Sequence, residues 1–321
     1  LTMMNLLARS GARHVLGLLG CTLLLGGVVG MLPAQANLLI NGDAEAGTLA
    51  GWTDPLGNGF AVSTSTVASG QYSFTAGLSG PAGSYHHELR QDVSIAGLAV
   101  AIDAGEVTSI LRGVGRSNAA GGYVDAGYVQ LEFLGINGSV LSTYGTGTFA
   151  PHNAWQSFVD ERVVPVGTRT LRLRLRGSRP IGASTDCFFD DLQLGVYQWR
   201  AMGAGCAGAN GTPDLQLVEP PWLGSTYELL ATNLAGGFGL MVVGFSGVNL
   251  PLQPFGLGFG SGCILQVSPE LLQPLPQVGG LATWSLAVPA NPALSGFEVW
   301  NQVAELAPVS AVSTASRAVL R

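Results

Sequence analysis

Asp43 and Glu45 stand two residues apart in NLLINGDAEAGTLAGWT (37–53), an apolar run that breaks into Asn-Gly-Asp and ends on Gly-Trp. Either the stretch is a plain strand and turn, with Asp43 bonding its own backbone, or its carboxylates are half of a constellation completed elsewhere. Two Gly-rich loops hold a second kind of chemistry. RSNAAGGYVDAGY (116–128) and GTFAPHNAWQ (147–156) supply Tyr123, His152, Asn153 and Trp155. Aromatic rings beside amides suit stacking on a sugar face while its hydroxyls are hydrogen-bonded. Trp155 equally suits the packing of a core.

Catalytic signatures are missing. The chain has no Gly-x-Ser-x-Gly elbow, no His-Glu-x-x-His and no phosphate-binding loop. Its four His leave few general bases, and the two adjacent ones in SYHHELRQD would point to opposite sides of a strand. Asp and Glu are scattered along strands, so a carboxylate pair for glycoside hydrolysis is not marked out by spacing. Arg172, Arg174 and Arg176 alternate with leucines in TLRLRLRG. They form one polar face, either ready for an anionic polymer or neutralised by Asp160, Glu161 and Glu132.

The first 36 residues read as a helical signal peptide. Arg9 and Arg13 precede the apolar VLGLLGCTLLLGGVVGML, and AQA closes the segment with small residues. A retained anchor and lipidation at Cys21 are the rival readings. No later segment is apolar over the ~18 residues needed to span a bilayer. Export to an oxidising compartment favours disulfides. Cys206 and Cys263 both sit in Gly-rich turns of one region and are the expected pair; Cys187, in a strand pattern, is the expected buried thiol. No Cys/His spacing suits zinc.

The elements that carry these residues read as β throughout. Period-2 runs bounded by Gly, Asn, Asp, Ser and Pro recur at 128–135, 138–145, 170–177 and 187–196. GLAVAIDAGEV (97–107) offers at most a turn of helix. The net charge of −6, with 14 arginines and no lysine, argues against a nucleic-acid partner. Composition shifts near residue 200: 37–200 carries 14 acids and 10 arginines, and 201–321 only six and two. The expected architecture is all-β: a signal peptide (1–36), an N-terminal jelly-roll β-sandwich (37–198) and a smaller low-charge C-terminal β-sandwich (199–321).

NLLINGDAEAGTLAGWT and the distant FFDDLQL, with LRQDVSI, DAGYVQLEFLGINGSVL and VPVGTRTLRLRLRG between them, resemble the galactose-binding-domain-like β-sandwich of many carbohydrate-binding modules. The resemblance implies neighbouring first and last strands with a structural calcium between them. It maps the ligands onto Glu45 and Asp190, with Asp43 and backbone carbonyls of the 41–47 turn as helpers; hard oxygens are what Ca²⁺ takes. Trp52 reads as core. LGSTYELLATN, GCILQVSP and PANPALSGFEVWNQ are similar to a small secreted β domain appended to exported proteins of planctomycete-like bacteria. Together these imply an exported, non-catalytic binder of a glycan or cell-surface polymer. The alternatives are a structural or adhesive envelope protein and, third, a polysaccharide-processing enzyme.

Overall fold

The alternation in TLRLRLRG organises the first half of the molecule. The computed structural model describes residues 37–57, 59–77, 86–182, 184–306 and 309–321; the leader expected over 1–36 lies outside them. Nine strands build the first sandwich: β1 (Ala61–Ser63), β2 (Ser73–Thr75), β3 (His86–Ser94), β4 (Thr108–Ala120), β5 (Tyr123–Gly135), β6 (Val140–Gly145), β7 (Gln156–Val163), β8 (Thr168–Ser178) and β9 (Cys187–Met202). Among the described residues a 3₁₀ turn (Ala96–Leu98) and the five-residue helix α1 (Ala99–Asp103) interrupt them.

One layer runs β3-β8-β5-β6, all antiparallel. Residues paired across an antiparallel ladder share a face. Leu171 therefore lies with Val93 and Phe133, Leu173 with Leu131, and Leu175 with Leu89 and Val129. These leucines are fully buried against Leu111, Phe189, Leu192 and Leu194 of the second layer, β2-β9-β4-β7. Burial of each such side chain contributes about 1.5–3 kcal/mol. Trp52 joins this core, 5.1 Å from Phe74.

The opening stretch is not a strand. Leu38 N–H donates to Leu194 O (2.8 Å) and Leu192 N–H to Gly42 O (3.0 Å). Between these bonds the Asn37 side chain bridges Leu192 and Leu194 of β9. Asn41 and Ala44 then adopt left-handed backbone (φ 53° and 60°), which ends any ladder. Gly42 is needed because a Cβ there would collide with Leu192 O.

Ten more strands follow: β10 (Asp214–Glu219), β11 (Thr226–Thr232), β12 (Phe238–Gly244), β13 (Gly247–Pro251), β14 (Ile264–Val267), β15 (Leu271–Leu275), β16 (Ala282–Ala287), β17 (Glu298–Leu306), β18 (Ala311–Val312) and β19 (Ala315–Val319). The sheet β10-β11-β16 and the ladder β15-β12-β17-β19 enclose a second core around Tyr227, Leu229, Met241, Trp284 and Val303. A third cluster lies under the β13-β14 hairpin. Cys206 and Cys263 are disulfide-bonded, and Cys187 is a free, buried thiol whose pKa burial pushes up.

β9 runs through both halves. Its residues up to Tyr197 pair with β4, and from Gln198 onward they pair with β19. Ile110, Tyr197 and Trp222 form a small apolar cluster at this crossing. Trp222 also donates its indole N–H to Val196 O.

Candidate functional site

The β4–β5 hairpin closes on Gly121 and Gly122, both at positive φ (59° and 84°), the backbone a two-residue type I′ turn demands. That tight turn leaves Tyr123 half exposed at the end of the sandwich. Beside it lies a pocket of about 190 Å³ lined by Asn118, Tyr123, Asp125, Ile181, Ser184 and Asp186, among others. Asp186 N–H donates to Asp125 Oδ2 at 2.8 Å, and Asn118 N–H donates to Asp186 O at 3.1 Å. Burial raises the Asp125 pKa, with the Asp186 charge adding to the rise; the Asp186 N–H bond and Arg179 oppose it. The pocket thus combines one aromatic face with an amide, a hydroxyl and two carboxylates. Its volume is below the ~300–1,000 Å³ of drug-sized ligand sites and suits one small ring.

Of the expected ligand-binding residues, Tyr123 alone lines this pocket. The 147–156 loop does meet the hairpin: the Asn153 amide accepts from Ala119 N–H (2.9 Å) and donates to Ala119 O (3.1 Å). Both ends of that amide are therefore engaged by backbone. His152 Nδ1 lies 3.1 Å from Phe149 O, and Trp155 is half-buried. The residues sequence reasoning passed over are Asn118 and Asp125 of the hairpin and Ile181, Ser184 and Asp186 of the 178–186 connection, SRPIGASTD. Its Pro, Gly and Ser content between two strands was the available signal.

The opening carboxylates converge on one loop. Glu45 Oε1 accepts N–H bonds from Gln71 and Tyr72, both at 2.9 Å. From the other side, Asp190 Oδ2 accepts from Ala68 (2.9 Å) and Ser69 (3.3 Å), and Oδ1 from Asp191 N–H. Ser69 Oγ donates to Asp191 at 2.6 Å. Asp43 Oδ1 accepts from Glu45 N–H at 3.3 Å, shaping its own turn. Asp190 is fully buried, and burial pushes its pKa up to about 6. Among the described residues, no group of three or more His, Cys, Asp or Glu side chains is disposed to hold a metal. The oxygens at this loop are nonetheless of the hard type that calcium accepts.

The arginine row is neutralised within its own layer. Arg174 sits between Glu88 and Glu132, each 2.5 Å away, and Arg172 pairs with Asp92 at 2.7 Å. Arg176 stacks over Tyr128. Of the expected counter-charges only Glu132 takes part. Asp160 binds Arg162, and Glu161 receives the Tyr197 hydroxyl, because β7 pairs with β4 in the opposite layer. His86 is exposed and His87 buried, on opposite sides of β3.

No family model and no curated protein matches the chain. Among solved structures it is similar to the enzymatically active domain of bacteriophage CBA120 tailspike protein 4, at 15% identity and a TM-score of 0.38. That match covers 50% of this chain but spans only 21% of the tailspike. It is similar to a family 16 carbohydrate-binding module-2, with 20% identity, TM-score 0.37, 50% of this chain and 99% of that one. The tandem CBM22-1-CBM22-2 of Paenibacillus barcinonensis Xyn10C matches over 90% of this chain and 99% of its own, at 14% identity and TM-score 0.34. The carbohydrate-binding modules among these neighbours are β-sandwiches.

Proposed function

We propose that the chain is an exported, non-catalytic binding protein whose first sandwich, a galactose-binding-like jelly roll over 37–198, takes a glycan or cell-surface polymer at the end of the sandwich. The observation that carries this reading is the half-exposed Tyr123 ring beside the pocket of Asn118, Asp125, Ser184 and Asp186. A ring face bordered by hydrogen-bonding groups is complementary to a sugar, which has an apolar face and a hydroxyl rim. The Asp pair disfavours acidic sugars and nucleic acid alike. Affinity electrophoresis through gels containing neutral polysaccharides tests it. The wild-type chain is retarded and Tyr123→Ala is retarded less; mobility unchanged by every polysaccharide, or equal for the two chains, overturns the reading. Incubation with the retarding polymer should release no reducing ends, as expected of a binder without catalysis.

Calcium belongs to this proposal as a structural ion between the opening segment and β9, held by Glu45 and Asp190, with Asp43 and backbone carbonyls of the 41–47 turn assisting. Asp190 supports it: a buried carboxylate whose pKa is raised by burial gains most from a nearby cation. Added Ca²⁺ should raise the melting temperature and a chelator lower it; no shift in either direction removes calcium from the account.

One observation favours a second reading, that of a structural or adhesive envelope protein. Residues 199–321, proposed as a small appended β domain, leave Phe238, Phe245, Phe255, Leu257, Leu272 and Phe297 largely exposed. Such apolar surface commonly marks an association site. Oligomers that grow with concentration in the absence of any glycan would favour it.

A further inference from the structure

Where β9 changes partner, an open groove of about 540 Å³ runs between the first sandwich and β10. It has nearly three times the volume of the pocket at the sandwich end and falls in the usual range of ligand sites, which favour domain interfaces. Its apolar wall comprises Trp199, half-buried, with Val163 and Leu217. Its polar wall comprises Glu161, Gln216 and Tyr197. The ladders explain the grouping. Thr108 pairs with both Val163 and Tyr197, and Ile110 pairs with Glu161, so these residues occupy one face of the second layer.

The charge in the groove is one-sided. Arg162 borders it, but its guanidinium is held by both Asp160 oxygens (2.6 and 2.5 Å) and lies over the Tyr144 ring. Glu161 is exposed and takes the Tyr197 hydroxyl on Oε1. The groove thus offers an anionic acceptor, an amide and aromatic area, with its one cation already paired. An acidic polymer would meet Glu161 on the polar wall. An uncharged, hydroxyl-rich and flat-faced ligand of several rings fits all three features.

We propose that this junction groove binds a segment of a neutral oligosaccharide, as a second glycan site distinct from the pocket at Tyr123. It rests on the glycan-binding reading above and extends it to a site that residues of both β units build together.

Calorimetric titration of the full chain with xylohexaose, cellohexaose and β-1,4-galactohexaose tests it, with hexagalacturonic acid as the acidic control. The Tyr123→Ala chain, lacking the end site, should still bind one neutral hexasaccharide and should not bind the acid. Adding Val163→Arg, which fills the groove from an exposed position, should weaken that binding by about tenfold or more. Glu161→Gln, which keeps the shape, should admit the acidic control. Residual binding unaffected by Val163→Arg overturns the groove, as does a Tyr123→Ala chain that binds nothing while the wild type binds. In the latter case the end-pocket reading survives alone. A wild-type chain that binds none of the sugars overturns both.

Discussion

In the first sandwich, Arg174 lies between two buried glutamates and Arg172 extends the same row to Asp92. Residues 201–321 hold only two arginines and, among the described residues, no row of them along one strand. Arg317 bridges Glu298 of its own ladder (2.5 Å) and Glu106 of the first sandwich (3.3 Å), and Arg321 reaches Gln198. The second unit closes its irregular backbone differently, through the Cys206–Cys263 disulfide and through Glu305, buried, which accepts N–H bonds from Ala235 and Gly237. One region uses paired charge between strands. The other uses a covalent staple where charge is scarce.

The comparison can be broken from its strong end. Replacing both Cys206 and Cys263 with Ser frees a loop spanning 57 residues, an expected loss of about 4 kcal/mol by chain entropy. Denaturant unfolding measures it, and a change below the error of the fit would remove the staple from the argument. Arg174→Met leaves Glu88 and Glu132, with side chains only 3% and 7% exposed, to the longer contacts of Arg176 (3.6 Å) and Arg172 (3.9 Å). Breaking such a buried pair costs about 3 kcal/mol, so the charge row should come close to matching the disulfide. A loss equal to that of an exposed pair would mean the row is solvated after all.

Asp190 supplies a smaller, pH-dependent effect. Its folded pKa of about 6 lies above its ordinary value of 3.8, so the unfolded chain loses this proton first. The associated stability is complete below about 3.8, declines as pH rises, and is gone above about 6. The stability difference between wild type and Asp190→Ala, in which the other carboxylates cancel, should therefore be larger at pH 4 than at pH 7. Bound calcium, favouring the ionised form, would reverse that trend. Arg172→Met should matter least, at most about 1 kcal/mol, because its partner Asp92 is 43% exposed. Asp92 is held below its ordinary pKa by the Arg172 hydrogen bond, so what this pair contributes is present above pH 3.8 and fades as pH falls.

Elements with strict alternation were legible in the sequence, since Leu171, Leu173 and Leu175 can be buried together only by a strand. Cys206 and Cys263 were legible for a related reason: both lie in Gly-rich turns of a region with little else to hold it. The opening stretch misled because only two backbone bonds and the Asn37 side chain tie it to β9 before left-handed Asn41 and Ala44 end the pairing. Asp125 and Asp186 escaped notice because they are 61 positions apart and meet only through the pairing of two layers. Likewise, nothing local told that β7 would leave β8 and carry Asp160 and Glu161 to the opposite sheet.

The continuity of β9 has a mechanical meaning. A load applied to one half of the molecule passes to the other along this strand. Here the path is a single extended backbone flanked by β4 over its first part and by β19 beyond, with no flexible linker in series. Tension along such a strand shears several hydrogen bonds at once instead of opening them one by one. The 16 residues of β9 thus take part in two successive ladders, and a load along the strand falls on the hydrogen bonds of both.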